Sequence, residues 1–429
     1  EWAKRADHKP ILLRGARQVR KSSSVRHLGR LFQNFVEINF EKNEIYKQVF
    51  EADLDAHRIV NQLSAVSGKK IIAGKTLLFL DEVQECPRAI MSLRFFKEDL
   101  PELHVIAAGS LLEFALRELP TFGVGRIHSL FMRPLSFDEF ESAYGFDTLL
   151  KARNEASALH PLPEALYQTL LEHLRTYIMI GGMPEVVVKW IETQNYALCQ
   201  EVQDDIIVSY ESDFPKYKHK VDSELLRHVL HSAALQCGKK FVYSKVGEYK
   251  TYAVKQALNL LFQAGILIPI THTSANGLPL GSEADENKRK VIFLDCGLLL
   301  RTLNMAMGDI SAITVQILTA NASDLANKGA IAEQVVGTEL LAYKTPNLRL
   351  VIFYWTKEAK NSLAEVDYVD TFAQKVLPIE VKANVQGGMK SLWAMMREKK
   401  LNFAVRCSAE NFGEITYVDK GDNDEERHV

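Results

Sequence analysis

The sequence has few cysteines, and their arrangement excludes two classes of protein. The five cysteines among 429 residues are scattered, odd in number and without a C-x-x-C pair. Neither a disulfide framework nor a zinc knuckle is therefore predicted, and a reducing cytoplasm is the expected compartment. The cysteines are Cys86, Cys199, Cys237, Cys296 and Cys407.

An excess of positive charge and a long apolar run are also absent. The formal net charge is −2 at pH 7, so a polyanion would have to bind a local patch rather than the whole surface. The most apolar stretch, "ALNLLFQAGILIPI", is interrupted by Gln263, Gly265 and Pro269 and is shorter than the roughly 18 residues of a membrane span. We therefore expect no membrane segment. Because the chain begins at Glu1 rather than Met, the presence of an upstream targeting signal stays an open question.

The length and patterning that are present predict several domains. Residues 1–145 alternate short apolar runs with amphipathic stretches, the pattern of an α/β domain with a buried parallel sheet. Residues 146–222 lack such runs and are predicted to form a helical lid or connector. Residues 223–304 show two helices and then a hairpin, the outline of a winged helix. We expect an α/β domain at 305–418 and a disordered acidic tail at 419–429.

A near-match to a phosphate-binding loop lies in "LLRGARQVRKSSS" at residues 12–24. The pattern G-x-x-x-x-G-K-[ST] is filled by Gly15, Lys21 and Ser22, but Arg20 replaces its second glycine. An apolar strand before the loop and a helix after it supply the context in which backbone N–H groups converge on phosphates. Taken alone, the stretch fits an altered ATP site and an ordinary basic loop equally well. The predicted cofactor-binding residues are Gly15, Ala16, Arg17, Gln18, Val19, Arg20, Lys21, Ser22 and Ser23.

Polar residues that end two later strands favour the ATP site. In "TLLFLDEVQ", Asp81 can hold Mg²⁺ through water, with the Ser22 hydroxyl as the other metal-site residue, and Glu82 can orient or deprotonate the attacking water. The strand "HVIAAGS" ends in Ser110, which is placed to contact the γ-phosphate or the water. Arg126 is either an arginine finger for a neighbouring subunit or a surface arginine before a strand.

Seven segments resemble, in order, the landmarks of prokaryotic AAA-type ATPases that carry a C-terminal domain of unknown function. They are "LLRGARQVRKSS", "FVEINFEKN", "LLFLDEVQECP", "VIAAGSLLEFAL", "GRIHSLFMRPLSFDEF", "IGGMPEVV" and "FLDCGLL". The resemblance covers nearly the whole chain and implies Ser110 as the sensor residue of an ATP–Mg²⁺ site. It does not extend to the second loop glycine. The other site residues that it implies are Lys21, Ser22, Asp81 and Glu82.

Arg20 makes the activity of this site an open question. A non-glycine residue in the left-handed conformation costs about 1–2 kcal/mol, which alone would not prevent ATP binding. The side chain can displace Lys21 next to the β-phosphate, or it can point outward and add a contact. We therefore predict weakened or lost hydrolysis on a nucleotide-binding fold. A nucleotide-dependent switch or scaffold that does not hydrolyse ATP is the alternative.

The region after residue 325 places carboxylates and a lysine on neighbouring strands. Asp367 lies in "AEVDYV", and Glu380 and Lys382 in "LPIEVKA" are two apart, so they face the same side. D…E-x-K is an arrangement of metal-dependent nucleases, and the region resembles the PD-(D/E)xK fold, with Glu333 as a further ligand. Two alternatives stay open for this region: an active site that binds a second Mg²⁺ or Mn²⁺, or a vestigial nuclease fold without activity.

DNA is the expected partner of the winged helix. The predicted recognition helix exposes Lys255, Gln256, Asn259 and Gln263, and the wing ends in "NKRK". Because only a few positive charges lie on this face, packing or protein contact is an equal alternative. ATP and DNA are thus the expected partners, with a homo-oligomer required by the arginine-finger hypothesis.

Overall fold

The computed structural model describes residues 1–110, 112–119, 125–217, 221–307, 328–347, 351–359, 362–383, 388–419 and 425–429. These residues form two compact units. One is built mainly from Glu1–Arg133, and the other from Pro134–Phe262, Ile266–Lys344 and Leu350–Val429. All five cysteines lie in the described part and are unbridged, and no helix described there is long and apolar enough to cross a membrane.

The first unit contains a five-stranded sheet. Its strands are β1 (Ile11–Arg14), β2 (Asn34–Asn39), β3 (Thr76–Asp81), β4 (His104–Ala108) and β5 (His128–Phe131). Their order is β2-β3-β4-β1-β5, and every pairing is parallel, so all carboxyl ends meet at one edge. The parallel α/β architecture predicted for this part of the chain is confirmed.

Helices cover both faces of this sheet. They are α1 (Lys21–Gly29), α2 (Ile45–Gln48), α3 (Ala56–Ser67), α4 (Pro87–Asp99) and α5 (Leu112–Glu118). Successive residues of β3 point to opposite faces: Leu78 joins a core with Ile59 and Leu93, whereas Phe79 joins a core with Val25. Burial on both faces explains why the β3 sequence is continuously apolar.

The second unit begins with a run of helices. They are α6 (Phe137–Tyr144), α7 (Asp147–Glu155), α8 (Glu164–Ile180), α9 (Pro184–Thr193) and α10 (Tyr196–Asp213). A capping box starts α6, because Ser136 and Glu139 satisfy each other's backbone N–H groups. Between residues 146 and 222 the described residues contain helices and no strand. The role of this segment as a lid stays a prediction.

A six-stranded mixed sheet follows in the same unit. Its strands are β6 (Leu267–Thr273), β7 (Ala284–Phe293), β8 (Ile352–Ala359), β9 (Ser362–Phe372), β10 (Lys375–Val381) and β11 (Val405–Cys407). Their order is β11-β10-β9-β8-β6-β7. The expected wing, β6 and β7, is therefore one edge of this sheet, and β6 pairs with β8 in parallel. The sheet continues across the domain boundary expected between residues 304 and 305.

Within the described residues, five helices accompany these strands. They are α11 (Ser223–Leu235), α12 (Thr251–Gln263), α13 (Cys296–Met307), α14 (Lys328–Ala342) and α15 (Lys390–Glu398). The helix-helix-hairpin order expected for 223–304 is present in α11, α12, β6 and β7. Whether these elements form a winged helix stays a prediction.

The disordered tail expected at 419–429 was wrong for its last residues. Strand β12 (Thr416–Asp419) pairs in antiparallel register with β13 (Glu425–His428). Arg427 is fully buried, and its guanidinium donates to the carbonyls of Met396 and Leu401, each at 2.8 Å. The charged sequence is accommodated because backbone oxygens of another segment bind this guanidinium. Residues 420–424 lie outside the described residues.

Candidate active site

The loop that follows β1 has the backbone shape of an anion-binding turn. Gly15 has a φ of 133°, and a Cβ there would lie 2.2 Å from the carbonyl oxygen of Met132, so only glycine fits. Gln18 and Arg20 have φ values of 64° and 59°. Because Arg20 is left-handed and Lys21 begins a right-handed helix, successive N–H groups form a concavity suited to an anion.

The nine residues predicted to bind the cofactor all lie in this loop or in the first turn of α1. Since α1 begins at Lys21, its first N–H groups have no partner within the helix and can bind phosphate oxygens. Their exposure differs along the loop. Ala16, Val19 and Lys21 are buried, Gly15, Arg17, Gln18 and Ser22 are half-buried, and Arg20 and Ser23 are exposed.

Arg20 keeps the backbone conformation that the missing glycine would supply. It is the N-cap of α1, with φ 59° and ψ 31°, and its carbonyl accepts the N–H of Ser24 at 3.0 Å. The exposed side chain corresponds to the outward orientation, one of the two that the sequence left open. The steric displacement of Lys21 is therefore not observed.

Lys21 lies inside the loop. Its side chain is buried, at 7% exposure, and its ammonium donates to the carbonyls of Gly15 at 3.0 Å and Ala16 at 2.6 Å. Burial lowers the pKa of Lys21 to about 8, although the carboxylates of Glu82 and Asp81 act in the opposite direction. A phosphate in the loop would favour the charged ammonium. Lys21 is thus placed to bind one.

Asp81, at the end of β3, accepts hydrogen bonds from three side chains, two on α1 and one on β2. Ser22 Oγ donates to Oδ1 at 2.7 Å, and Asn39 Nδ2 and Arg26 Nη2 donate to Oδ2 at 3.1 Å and 3.4 Å. Burial raises the pKa of Asp81, and the hydrogen bonds from Ser22 and Asn39 partly offset that rise. The carboxylate is consequently fixed beside the first turn of α1.

Ser22 and Asp81 fit a magnesium site. A hydroxyl and a carboxylate are the oxygen donors that Mg²⁺ prefers, and Mg²⁺ bound with a nucleotide usually takes only one or two carboxylates from the protein. Within the described residues no set of three His, Cys, Asp or Glu side chains is arranged to hold a metal ion. The pair therefore suits Mg²⁺ that arrives with a nucleotide.

Glu82 is held by a residue that the sequence did not single out. Glu82 has a φ of 51°, and its Oε2 accepts Gln84 Nε2 at 2.7 Å. Gln84 also fills the space over Gly109 at the end of β4, where a Cβ would lie 2.0 Å from Gln84 Oε1. Ser110 follows Gly109 directly. Gln84 therefore connects the acidic turn after β3 with the polar end of β4.

Three further site residues were missed by sequence reasoning. Arg26 donates to both oxygens of Glu37, at 3.0 Å and 2.7 Å, and so links α1 to β2. Asn39 is the register partner of Asp81 in the sheet. The available signal was the position of Asn39 at the end of a strand, two residues after Glu37 and therefore on the same face. Which strand would neighbour β3 was not readable from the sequence.

Arg126 lies away from this edge of the sheet. It is 53% exposed and pairs with Glu98, near the end of α4, at 3.2 Å. Arg126 precedes β5, which runs parallel to β1, so the start of β5 lies at the edge opposite the phosphate loop. Arg126 is therefore not in the site of its own chain. The arginine-finger role stays a prediction that needs a second copy.

Comparison with known families supports this interpretation of the loop and carboxylates. Residues 7–141 match the AAA domain family. Residues 171–308 match a domain of unknown function (DUF8612), and residues 328–419 match another (DUF4143). The AAA match supports a nucleotide-binding P-loop ATPase of the AAA type, as the sequence predicts.

Solved structures are similar at a low level. A Walker-type ATPase of Pyrococcus abyssi is 14% identical, with 68% of this chain and 90% of that chain covered and a TM-score of 0.45. A chain from a structure of Drosophila ORC bound to DNA is 13% identical, with 72% and 93% covered and a TM-score of 0.28. Similarities at these scores carry no argument about function. No curated protein matches the chain.

The four residues predicted for a second site come together in the second unit. Glu333 lies on α14, Asp367 on β9 and Glu380 on β10, and Lys382 follows β10. Asp367 Oδ2 accepts the N–H of Val381 at 2.8 Å, and Lys382 donates to Glu380. Burial raises the pKa of Glu380 to about 7, and the Asp367 carboxylate adds to the rise.

An unpredicted lysine lies among these carboxylates. Lys290 on β7 is fully buried, and its Nζ lies 2.6 Å from Glu333 Oε2, 2.8 Å from Glu365 Oε1 and 3.8 Å from Asp367 Oδ1. Burial lowers the pKa of Lys290, but these carboxylates more than compensate and leave it above its ordinary value. The sequence placed Lys290 at the end of a DNA-facing wing. That prediction is wrong, because the side chain is buried against these carboxylates.

The face of α12 expected to read DNA is only partly available. Gln263 is buried, contrary to the prediction. Lys255 donates to Asn287 at 3.3 Å, and Asn259 accepts from Arg289 at 3.4 Å, so two other side chains of this face contact β7. Exposed lysines lie instead in and around the connection between α11 and α12. They are Lys239, Lys240, Lys245 and Lys250.

Proposed function

We propose that the first unit binds ATP with Mg²⁺ and hydrolyses it. The observation that carries this proposal is the 2.7 Å hydrogen bond from Ser22 to Asp81, next to the buried ammonium of Lys21. A lysine, a hydroxyl and a strand-end carboxylate at the N-terminus of one helix are the parts that phosphoryl transfer from ATP requires. The match of residues 7–141 to the AAA domain family supports the same conclusion.

Each group has a separate role in the proposed reaction. The N–H groups of the loop and the Lys21 ammonium bind the phosphate oxygens. Ser22 and Asp81 would hold Mg²⁺, and the bound ion would supply charge neutralisation at the phosphates. Glu82 orients the water and accepts its proton, and Gln84 keeps the Glu82 carboxylate in place. Ser110 contacts the γ-phosphate or the water from the end of β4.

Glu82→Gln is the test of hydrolysis. This substitution keeps the shape of the side chain but removes the base, so we expect ATP to bind while Mg²⁺-dependent turnover falls about 100-fold or more. The matched control is Glu85→Gln, because Glu85 is an exposed carboxylate in the same turn. Turnover equal in the wild type and Glu82→Gln would reject the proposed role.

A nucleotide-dependent switch that does not hydrolyse ATP is the second candidate. Arg20 favours it, since a long side chain stands where a phosphate loop has its second glycine. The switch predicts ATP binding by the wild type without phosphate release, together with a nucleotide-dependent change in protease sensitivity. Measurable release of phosphate that Lys21→Ala abolishes would exclude the switch.

We further propose that ATP binding is coupled to DNA binding by the second unit. The connection between α11 and α12 carries the exposed lysines Lys239, Lys240, Lys245 and Lys250, which suit contacts to phosphates of the DNA backbone. The order of α11, α12, β6 and β7 supports a winged helix. We propose a nuclease-like fold for the sheet of residues 352–407, on the basis of the assembled Glu333, Asp367, Glu380 and Lys382.

Salt dependence tests the DNA proposal. Affinity for duplex DNA should fall with rising salt, and the double variant Lys245→Glu, Lys250→Glu should bind more weakly with a shallower salt slope. The double variant Lys69→Glu, Lys70→Glu is the matched control. It makes the same change of charge at two exposed lysines, but these lie in the first unit. A change of DNA affinity on adding ATP would support coupling. Binding that is absent or insensitive to salt would favour protein partners instead.

A further inference from the structure

We propose that the ammonium of Lys290 takes the place of a divalent metal among the carboxylates of the second unit, so that no metal-dependent nuclease site forms there. These carboxylates, here called the Lys290 cluster, are Glu333, Glu365, Asp367 and Glu380. The proposal concerns the second unit only and does not depend on ATP hydrolysis in the first.

The position of the nitrogen carries the inference. Lys290 Nζ lies 2.6 Å from an oxygen of Glu333 and 2.8 Å from an oxygen of Glu365. Mg²⁺ and Ca²⁺ bind carboxylate oxygens at about 2.0–2.6 Å, so an ion held by the same two oxygens would overlap the ammonium. A metal could use these two oxygens only if Lys290 left its place.

The surroundings of Lys290 keep the ammonium there. Its side chain is fully buried, and residue 290 is fixed in the sheet by pairing with Ile270 on β6. The Tyr354 ring lies 5.6 Å from Nζ and adds a cation–π contact. Moving a buried ammonium away from its carboxylates would leave uncompensated charges in the protein interior.

Two ammonium groups of the chain already neutralise part of the charge of these four carboxylates without a metal. Lys290 faces Glu333 and Glu365 and lies 3.8 Å from Asp367, while Lys382 donates to Glu380. Every carboxylate of the cluster therefore lies within 4 Å of an ammonium of the same chain. The lysine of an E-x-K motif in an active nuclease would have to face the substrate, whereas Lys382 is engaged by Glu380.

The test measures Mn²⁺ binding to the full chain without nucleotide, with electron paramagnetic resonance as the readout. In the wild type we expect no Mn²⁺ site that depends on Asp367, so Asp367→Asn should leave Mn²⁺ binding unchanged. Lys290→Met, which keeps the length of the side chain but removes its charge, should gain one site with affinity about tenfold or more above the wild type. Adding Asp367→Asn to Lys290→Met should abolish the gained site. Lys382→Met is the matched control and should gain none of comparable affinity.

Two results of the Mn²⁺ titrations would overturn the proposal. One is a Mn²⁺ site in the wild type that Asp367→Asn abolishes. The other is a folded Lys290→Met that gains no site. If Lys290→Met does not fold, two measurements on the wild type test the proposal. Its thermal unfolding midpoint should be the same in excess Mg²⁺ and in EDTA. Its plasmid cleavage should equal that of Asp367→Asn. A midpoint shift or cleavage that Asp367→Asn removes would reject the proposal.

Discussion

The hydroxyl of Ser22 donates a 2.7 Å hydrogen bond to Oδ1 of Asp81, although 59 residues separate the two in the sequence. Ser22 lies in the first turn of the helix after the phosphate loop, and Asp81 ends the buried strand β3. The bond therefore places the two proposed Mg²⁺ ligands side by side at the carboxyl edge of the sheet.

Ser22→Ala should weaken ATP binding chiefly when Mg²⁺ is present. The substitution removes one metal ligand and one donor to a buried carboxylate, which should cost about 1–3 kcal/mol, or roughly tenfold to a hundredfold in affinity. Titration calorimetry with ATP, with and without Mg²⁺, measures the difference. Ser23→Ala is the control, because Ser23 is exposed in the same turn. Equal losses in both conditions would argue against a metal-ligand role.

Arg20→Gly should stabilise the first unit and raise ATP turnover. Glycine adopts the observed φ of 59° without a Cβ penalty, so we expect a gain of up to about 1 kcal/mol. Thermal unfolding and steady-state phosphate release measure the two effects. Arg20→Ala removes the guanidinium but keeps a Cβ, and it separates the two causes. Identical turnover of wild type and Arg20→Gly would show that Arg20 does not impair the site.

Gly15→Ala should abolish nucleotide binding by deforming the loop. A Cβ at residue 15 would lie 2.2 Å from the carbonyl oxygen of Met132, and the φ of 133° is unfavourable for any L side chain. Gly68→Ala is the control: its φ is also positive, at 67°, but a Cβ there meets no atom within 4 Å. That change should cost only about 1–2 kcal/mol and leave ATP binding intact. Normal ATP affinity in Gly15→Ala would contradict the proposed loop geometry.

Asp295 should make the stability of the second unit depend on pH. Its carboxylate accepts the N–H groups of Gly182 at 2.6 Å and Leu298 at 2.9 Å, and burial raises its pKa to about 6. Because this pKa lies above the value of 3.8 in an unfolded chain, the stabilising contribution is complete below about pH 4. It is lost as the pH rises through about 6. The loss amounts to about 3 kcal/mol for a side chain that is 3% exposed.

Asp295→Asn provides the comparison, because an amide does not titrate in this range. The variant should be less stable than the wild type at low pH, since its NH₂ group faces a backbone N–H donor. The stability gap should narrow between about pH 4 and pH 7 as the wild type loses its contribution. Urea unfolding at several pH values measures the gap. A gap that stays constant would mean that Asp295 does not titrate as argued.

Local sequence determined much of the nucleotide site. Gly15, Lys21 and Ser22 lie in one continuous loop and helix start, and the buried strand before Asp81 is visible as a continuous apolar run. The residues around them were not readable: Asn39 reaches Asp81 only because β2 is the neighbour of β3. Gln84 contacts the end of β4 for a similar reason. Strand order is set by packing of the whole sheet, so no local pattern encodes it.

In the second unit, too, local sequence placed some site residues and only the tertiary structure placed others. Residue types and periodicity placed Asp367, Glu380 and Lys382 on adjacent strands, and the structure brings them together with Glu333. Only the tertiary structure placed Lys290 among them, because β7 joins this sheet through the parallel pairing of β6 with β8. The burial of Arg427 in an acidic terminal segment was likewise decided by carbonyls more than 25 residues away in the sequence. Sequence by itself determined the elements and the chemistry of each local motif, whereas long-range pairing decided which charges meet, because burial makes each charge depend on neighbours distant in the chain.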